Sequence, residues 1–265
     1  MVGCSGTTFK WAPYGTVGVW HDNCYDYAFD LNNPRRTQKT TPGNYSGANP
    51  YTLNSRTCSG FAKRILSDYK GLAYKMKNPS ASPKPGYFKV MSFVAPKAPD
   101  FHFYRQVRYI VYKTRSRGNT SLFGRSNQLD TVQALSKFFR VSQATIRAAY
   151  AKSKVSRAPN TGRVAMNANK DLRLLNNMNA RPDPDGTLKP GRVMTIPVKL
   201  WTHKQGFGGG PVIVDASGKT ITDPRKANRN YGNGLNYTKF CSAYAVKCGA
   251  GRVVLARARK ARLVS

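Results

Sequence analysis

The chain has 265 residues, 40% of them hydrophobic, with 23 Gly and 16 Pro. That length and apolar content exclude a disordered tail and allow one large core or two smaller ones. Forty-four Lys and Arg face 11 acids, every one of them Asp, for a formal charge of +33. An isolated compact domain is strained by such self-repulsion, so the charge points to a polyanionic or acidic neighbour: nucleic acid, anionic lipid or an acidic protein face.

The first 30 residues run against this balance, with one Lys and three Asp. They contain HDNCYDYAFD, in which Tyr25 to Phe29 form a candidate helical turn behind Cys24. Residues 31 to 98 then carry twelve bases and one acid. Within them SRTCSGFAKRILSDYKGLAYKM places Phe61, Ile65, Leu66 and Tyr69 at helical spacing, with Cys58 near the helix start. After the breaker-rich NPSASPKPG come two extended segments, YFKVMSFVAP and DFHFYRQVRYIVYK. In the second, period-two spacing sets Phe101, Phe103 and Arg105 opposite His102, Tyr104 and Gln106, so His102 is predicted on a strand.

The middle of the chain reads as two helices. LDTVQALSKFFRV carries Val132, Leu135, Phe138 and Phe139 at helical spacing behind a cap at Asp130 or Thr131, and SQATIRAAYAKS is capped by Ser142. DPDGTLKPGRVMTIPV leads back into a strand, and VKLWTHKQG carries His203 in an extended segment. GGGPVIVDASGKTITDPRKA breaks like a hairpin at Asp215 to Gly218. With the middle region as an insertion, the Tyr104 and Trp201 strands are expected to be sheet neighbours. The last stretch, GRVVLARARKARLVS, has five bases and no acid, and its alternation predicts that it begins as a strand. GFGGGP lacks the Lys-Ser/Thr of a phosphate loop and reads as a connection.

Five cysteines (4, 24, 58, 241 and 248) cannot all pair within one chain. No early segment has the apolar core of a secretion signal and no window approaches a membrane span, so mostly free thiols and an intracellular or particle-internal protein are expected. A Cys241–Cys248 pair stays open. The cysteines and the histidines at 21, 102 and 203 form no zinc pattern, and no cofactor is expected.

Thiol catalysis needs a thiolate, a base within reach and a group that orients the base. Cys24 is the candidate nucleophile, His102 the base and His203 the orienting group, with Asp215 or Asp223 as alternatives to His203. The order of Asn23-Cys24-Tyr25-Asp26-Tyr27-Ala28, Phe101-His102-Phe103 and Trp201-Thr202-His203 resembles the papain-like superfamily, in particular the NlpC/P60-like cysteine peptidases and amidases. The resemblance implies an α+β fold, an antiparallel sheet packed on helices, with Asn23 near an oxyanion site and a peptide or cell-wall substrate. Cys58-Ser59-Gly60-Phe61 also resembles the family's nucleophile motif, Thr57 standing for the usual Asp, which makes Cys58 an alternative nucleophile. Residues 119–198 resemble a LysM-like βααβ module on Asp130-Thr131-Val132, Leu135, Phe139, Ile146 and Leu188-Lys189-Pro190-Gly191, departing from it in a basic, Asn-rich stretch at 151–175. The domain reading is therefore 1–118 and 199–265 for the papain-like part, including a basic C-terminal strand, around the 119–198 insertion.

The combined arrangement is similar to proteins of phages and large viruses. With the charge, it implies a basic minor capsid or core-associated protein of a large DNA virus particle, located inside or beneath the capsid. Other virion proteins, DNA or an anionic membrane surface are the expected partners. The expected contact residues are Arg105, Arg108, Lys113, Arg115 and Arg117, interleaved with Tyr104, Tyr109 and Tyr112, and Arg257, Arg259, Lys260 and Arg262 at the end of the chain. The competing expectations are a cysteine hydrolase using Cys24 and His102, and a non-specific nucleic-acid-binding protein.

Overall fold

A computed structural model of the chain describes residues 4, 7–11, 22–31, 39–48, 52, 56–97, 100–114, 131–155, 182–189, 191–206, 211–261 and 263. The fold is α+β. The strands are β1 (Thr8–Trp11), β2 (Ala73–Lys75), β3 (Tyr87–Ala95), β4 (Asp100–Lys113), β5 (Lys154–Val155), β6 (Arg192–Lys204), β7 (Pro211–Val212) and β8 (Lys239–Lys247). The hydrogen-bonded order is β2-β8-β3-β4-β6-β5, with β1 on β4 and β7 on β6. The neighbours β4 and β6 carry Tyr104 and Trp201, as expected from the sequence. The helices are α1 (Cys24–Ala28), α2 (Cys58–Asp68), α3 (Val132–Phe139), α4 (Gln143–Ala151) and α5 (Ala250–Lys260).

The chain divides into two compact units: residues 1–8, 15–107 and 199–265, and residues 9–14 and 108–198. In the larger unit β3 is buried along nearly its whole length, which explains its almost unbroken apolar sequence. Phe88, Val90 and Val94 join one core with Phe101, Phe103, Tyr244 and Val246, packed by α1, α2 and α5. Met91, Phe93 and Ala95 join another with Tyr104, Trp201, Ala243 and Tyr237. In α2, Phe61, Ile65 and then Tyr69 recur every fourth residue and are buried, and Thr57 caps the helix by accepting from the Gly60 N–H at 3.1 Å.

The smaller unit has a core of its own. Val132, Leu135 and Phe139 of α3 and Ile146, Ala149 and Tyr150 of α4 are buried, and Thr131 and Ser142 cap the two helices. Thr131 bridges to Thr187, and β5 pairs with β6 through Lys154 and Val193. Buried Arg192 is held by Ser153, donating to its Oγ at 2.8 Å and its carbonyl at 2.9 Å.

Two expectations are corrected here. The chain end is the helix α5, not a strand: Ala250, Val254, Leu255 and Ala258 form a buried helical stripe that short-range alternation in VVLARAR concealed. The cysteines are mostly paired, not free. Cys4 bonds Cys248 and Cys58 bonds Cys241, leaving Cys24 as the free cysteine. Partners separated by 244 and 183 residues leave no local spacing signal, and Cys241 and Cys248 bond distant partners rather than each other. Among the described residues no helix is long and apolar enough to cross a membrane.

Candidate functional site

The site lies in the larger unit and is assembled from α1, β4, β6 and the segment after β7. Asn23 fixes the start of α1: its side-chain oxygen accepts from the N–H groups of Tyr25 at 2.8 Å and Asp26 at 3.1 Å. Its amide nitrogen donates to the Thr40 carbonyl. The oxygen and one amide N–H are thereby engaged in capping α1 and tying it to Thr40, which fixes Asn23 beside Cys24.

Cys24 is the first residue of α1, and its thiol donates to the Phe101 carbonyl at 3.7 Å. The sulfur therefore rests against the peptide unit that joins Phe101 to His102. Burial pushes the thiol pKa up to about 12, and the negative charge of Asp100 adds to that rise. Cys24 is a protonated thiol at neutral pH.

His102 on β4 and His203 on β6 are joined through Nε2 of His102 and Nδ1 of His203 at 2.8 Å. Their tautomers follow from one carbonyl. His203 Nε2 lies 3.0 Å from the Val214 oxygen, which only accepts, so Nε2 carries the proton. A neutral His203 then presents a lone pair at Nδ1, His102 Nε2–H donates to it, and Nδ1 of His102 is the basic nitrogen of the pair. Burial holds His203 down to about 4, while burial and neighbouring His203 hold His102 well below the ordinary histidine range. Both rings are neutral at pH 7.

Tyrosines enclose the pair. Tyr237 stacks on His102 with centroids 4.9 Å apart and planes at 28°, and its hydroxyl donates to Asp100 at 2.9 Å. Tyr231 lies 5.6 Å from the His102 centroid, and its hydroxyl meets that of Tyr104 at 3.0 Å. His102 and His203 are accordingly 3% and 0% exposed, and Cys24, in the core with Phe101 and Phe103, is 5% exposed. Buried Lys204 follows His203 and donates to the Gly206 carbonyl at 2.6 Å; burial lowers its pKa, opposed by the charges of Asp22 and Asp26. Lys204, Asp100, Tyr231 and Tyr237 were not legible as site residues, because no spacing links them to Cys24 or His102.

The other candidates fall elsewhere. Cys58 is bonded to Cys241, and a disulfide sulfur is no thiolate nucleophile, so the alternative site is corrected. Asp215 accepts from the backbone N–H groups of Ser217, Lys219 and Asn228, and Asp223 bonds Arg225, so His203 is the group that orients His102. Arg105 is not an outward contact: it is buried, 3.3 Å from Asp30 and 4.4 Å above the Tyr27 ring. Its side of β4 is the one packed by α1. Arg108, Arg257, Arg259 and Lys260 are exposed. His21, Arg115, Arg117, Arg262 and the Lys113 side chain lie outside the described residues.

The imidazole pair gives stability a pH dependence of known sign. Folded His102 and His203 bind protons less readily than the unfolded residues, whose ordinary value is 6.5. Their contribution is complete above pH 6.5 and is lost as pH falls, through about 4 for His203. Denaturant unfolding between pH 7 and 4 is expected to show a loss of about 1.4 kcal/mol per pH unit for each imidazole titrating alone. His203→Gln is expected to flatten that slope; an unchanged slope would remove the pair as its source.

No family model, curated protein or solved structure matches the chain.

Proposed function

We propose that this chain is a basic structural protein of a large DNA virus particle, minor capsid or core-associated, lying inside or beneath the capsid and contacting virion proteins, DNA or an anionic membrane. Its scaffold is similar to the papain-like, NlpC/P60-like hydrolases, with a LysM-like insertion. The α+β sheet with Cys24 opening a helix and His102 on a strand supports the first resemblance. The succession of Thr131, α3, α4 and Thr187 supports the second. The observation that carries the structural role is the closure of Cys24, His102 and His203, whose thiol stays protonated, in a chain of formal charge +33. The two disulfides suit a particle outside the reducing cytosol.

The hydrolase reading is kept by one observation, the His102–His203 bond that leaves Nδ1 of His102 basic. In that chemistry the Cys24 thiol must leave the Phe101 carbonyl, its partner in the structure, to give its proton to His102 Nδ1, and the thiolate attacks an amide carbonyl. The tetrahedral adduct then expels the amine, which takes the proton. Water afterwards cleaves the thioester, returning the thiol and releasing the acid.

Iodoacetamide labelling separates the two. For a closed thiol of pKa about 12, labelling in the folded protein is slow at pH 7 and climbs about tenfold per pH unit toward alkaline pH, without a plateau below about 12. Rapid labelling at neutral pH, absent in Cys24→Ala and suppressed in His102→Ala, would favour the hydrolase. Binding to duplex DNA is expected to weaken steeply with salt and to be the same in Cys24→Ala. Salt-insensitive binding, or none to any polyanion, would remove the structural role proposed.

A further inference from the structure

The sheet surface at β2 carries two tyrosines among lysines, and nothing in the hydrolase or capsid reading accounts for it. Strand β2 ends the hydrogen-bonded order of the sheet. Its Tyr74 pairs with Ala245 of β8, while Tyr87 and Lys89 of β3 pair with Lys247 and Ala245. Residues paired across antiparallel strands point to the same face, so Tyr74, Tyr87, Lys89 and Lys247 share one side. That side is also the side of Met91, Phe93 and Ala243, which are covered. Tyr74 stands beyond the cover, 38% exposed.

The two rings lie 5.5 Å apart, and the Lys84 ammonium sits 4.8 Å from the Tyr87 centroid and 5.5 Å from that of Tyr74. Lys89 spends one donor on the Pro79 carbonyl at 2.9 Å. Lys199 and Arg225 are close enough for their charges to act on it. Asp223, the carboxylate that acts on the same ammonium, is held by Arg225 at 2.7 Å. Lys84, Lys199 and Lys247 are exposed. Like charges have thus been gathered around exposed Tyr74 and half-buried Tyr87 with little to neutralise them.

We propose that this face binds single-stranded nucleic acid, with a base stacked on Tyr74 and phosphates held by Lys84, Lys247 and Lys199. The inference rests on the reading of the chain as a polyanion-contacting protein and names one partner for it. An acidic peptide would answer the lysines but would leave the rings unused. A duplex offers phosphates but hides its base faces within the stack. A single strand alternates both chemistries along its length, and stacking on an aromatic ring tolerates any base. On binding, the Lys84 ammonium moves from the ring face to a phosphate.

The test is fluorescence anisotropy with labelled oligothymidylate and a duplex of equal length, on the full chain. Tyr74→Leu is expected to weaken oligothymidylate binding about 5- to 150-fold, the effect of losing one stacked base, and to leave duplex binding unchanged. Tyr74→Phe, which keeps the ring, is expected to bind as the wild type does. Lys84→Ala is expected to weaken single-strand binding and lower its salt dependence. Equal oligothymidylate affinity for wild type and Tyr74→Leu would overturn the stacking face, while salt-dependent duplex binding would leave the basic-protein reading standing. Loss of binding to both ligands in Tyr74→Leu, with Tyr74→Phe unaffected, would make the ring a structural support and also overturn it. No binding of either ligand by the wild type would sink both.

Discussion

Reducing the two disulfides is expected to remove most of the stability of this protein. The bonds Cys4–Cys248 and Cys58–Cys241 close segments of 244 and 183 residues. Cross-links over such lengths restrict the unfolded chain strongly. Because one bond is nested inside the other, either closes a shorter effective loop when its partner is intact. A contribution of about 4 kcal/mol for the first bond removed follows from chain entropy. Losing both approaches the whole unfolding free energy of an ordinary domain, about 5–15 kcal/mol. The expected result is a large drop in the denaturant midpoint after treatment with dithiothreitol, and a smaller drop in Cys58→Ser/Cys241→Ser. Thiol titration in denaturant should find Cys24 alone before reduction and all five cysteines after it. Five reactive thiols without reductant, or a midpoint indifferent to dithiothreitol, would show that the chain is not stapled in this way.

These bonds also mark a limit on reading the sequence. Helices such as α2, α3 and α4 announce themselves because cap and apolar stripe lie within a dozen residues: Thr57 with Phe61 and Ile65, Thr131 with Leu135 and Phe139, Ser142 with Ile146 and Ala149. The alternation of Phe101 and Phe103 against His102 and Tyr104 likewise places them on opposite sides of β4, in different cores. Disulfide partners nearly the whole chain apart carry no such local mark. The end of the chain misled for a related reason. A few residues of VVLARAR alternate, and only the full span from Ala250 to Ala258 shows the helical stripe.

The site was legible in its members but not in its state. A thiol at a helix start, a histidine on a strand and a second histidine on the next strand are sequence features, and the structure bonds the two histidines to each other. Closure comes from Tyr231 and Tyr237, more than a hundred residues beyond His102, and from the Asp100 carboxylate that anchors Tyr237. Solvent access and protonation depend on that cover, and a list of candidate residues contains neither. Arg105 makes the same point for charge. It was grouped with outward bases along β4, yet its position on the Phe101 and Phe103 side turns it inward, onto Tyr27 and Asp30.

The substitution Gly251→Ala is expected to destabilise the larger unit by about 2 kcal/mol or more, although Ala is the better helix former. Gly251 is the second residue of α5, and a Cβ placed there would lie 1.9 Å from the Asp30 carbonyl oxygen and 2.6 Å from its carbon. Neither atom belongs to a side chain that can swing away. Asp30 has a left-handed φ of 60°, its side chain holds Arg105, and the next residue, Leu31, donates its N–H to the Asp26 carbonyl at 2.9 Å. The helix must therefore retreat, drawing Ala250, Val254, Leu255 and Ala258 off a core shared with Phe29 and Leu31. The propensity gain from Gly to Ala is about 1 kcal/mol at most, and a contact this short exceeds it. A fall in thermal midpoint of roughly 4–8 °C corresponds to that loss. The exposed Ala256→Gly on the same helix gives the scale, since it should cost only the propensity difference of about 1 kcal/mol. If Gly251→Ala proved as stable as the wild type, α5 could not pack against the Asp30 turn as closely as described.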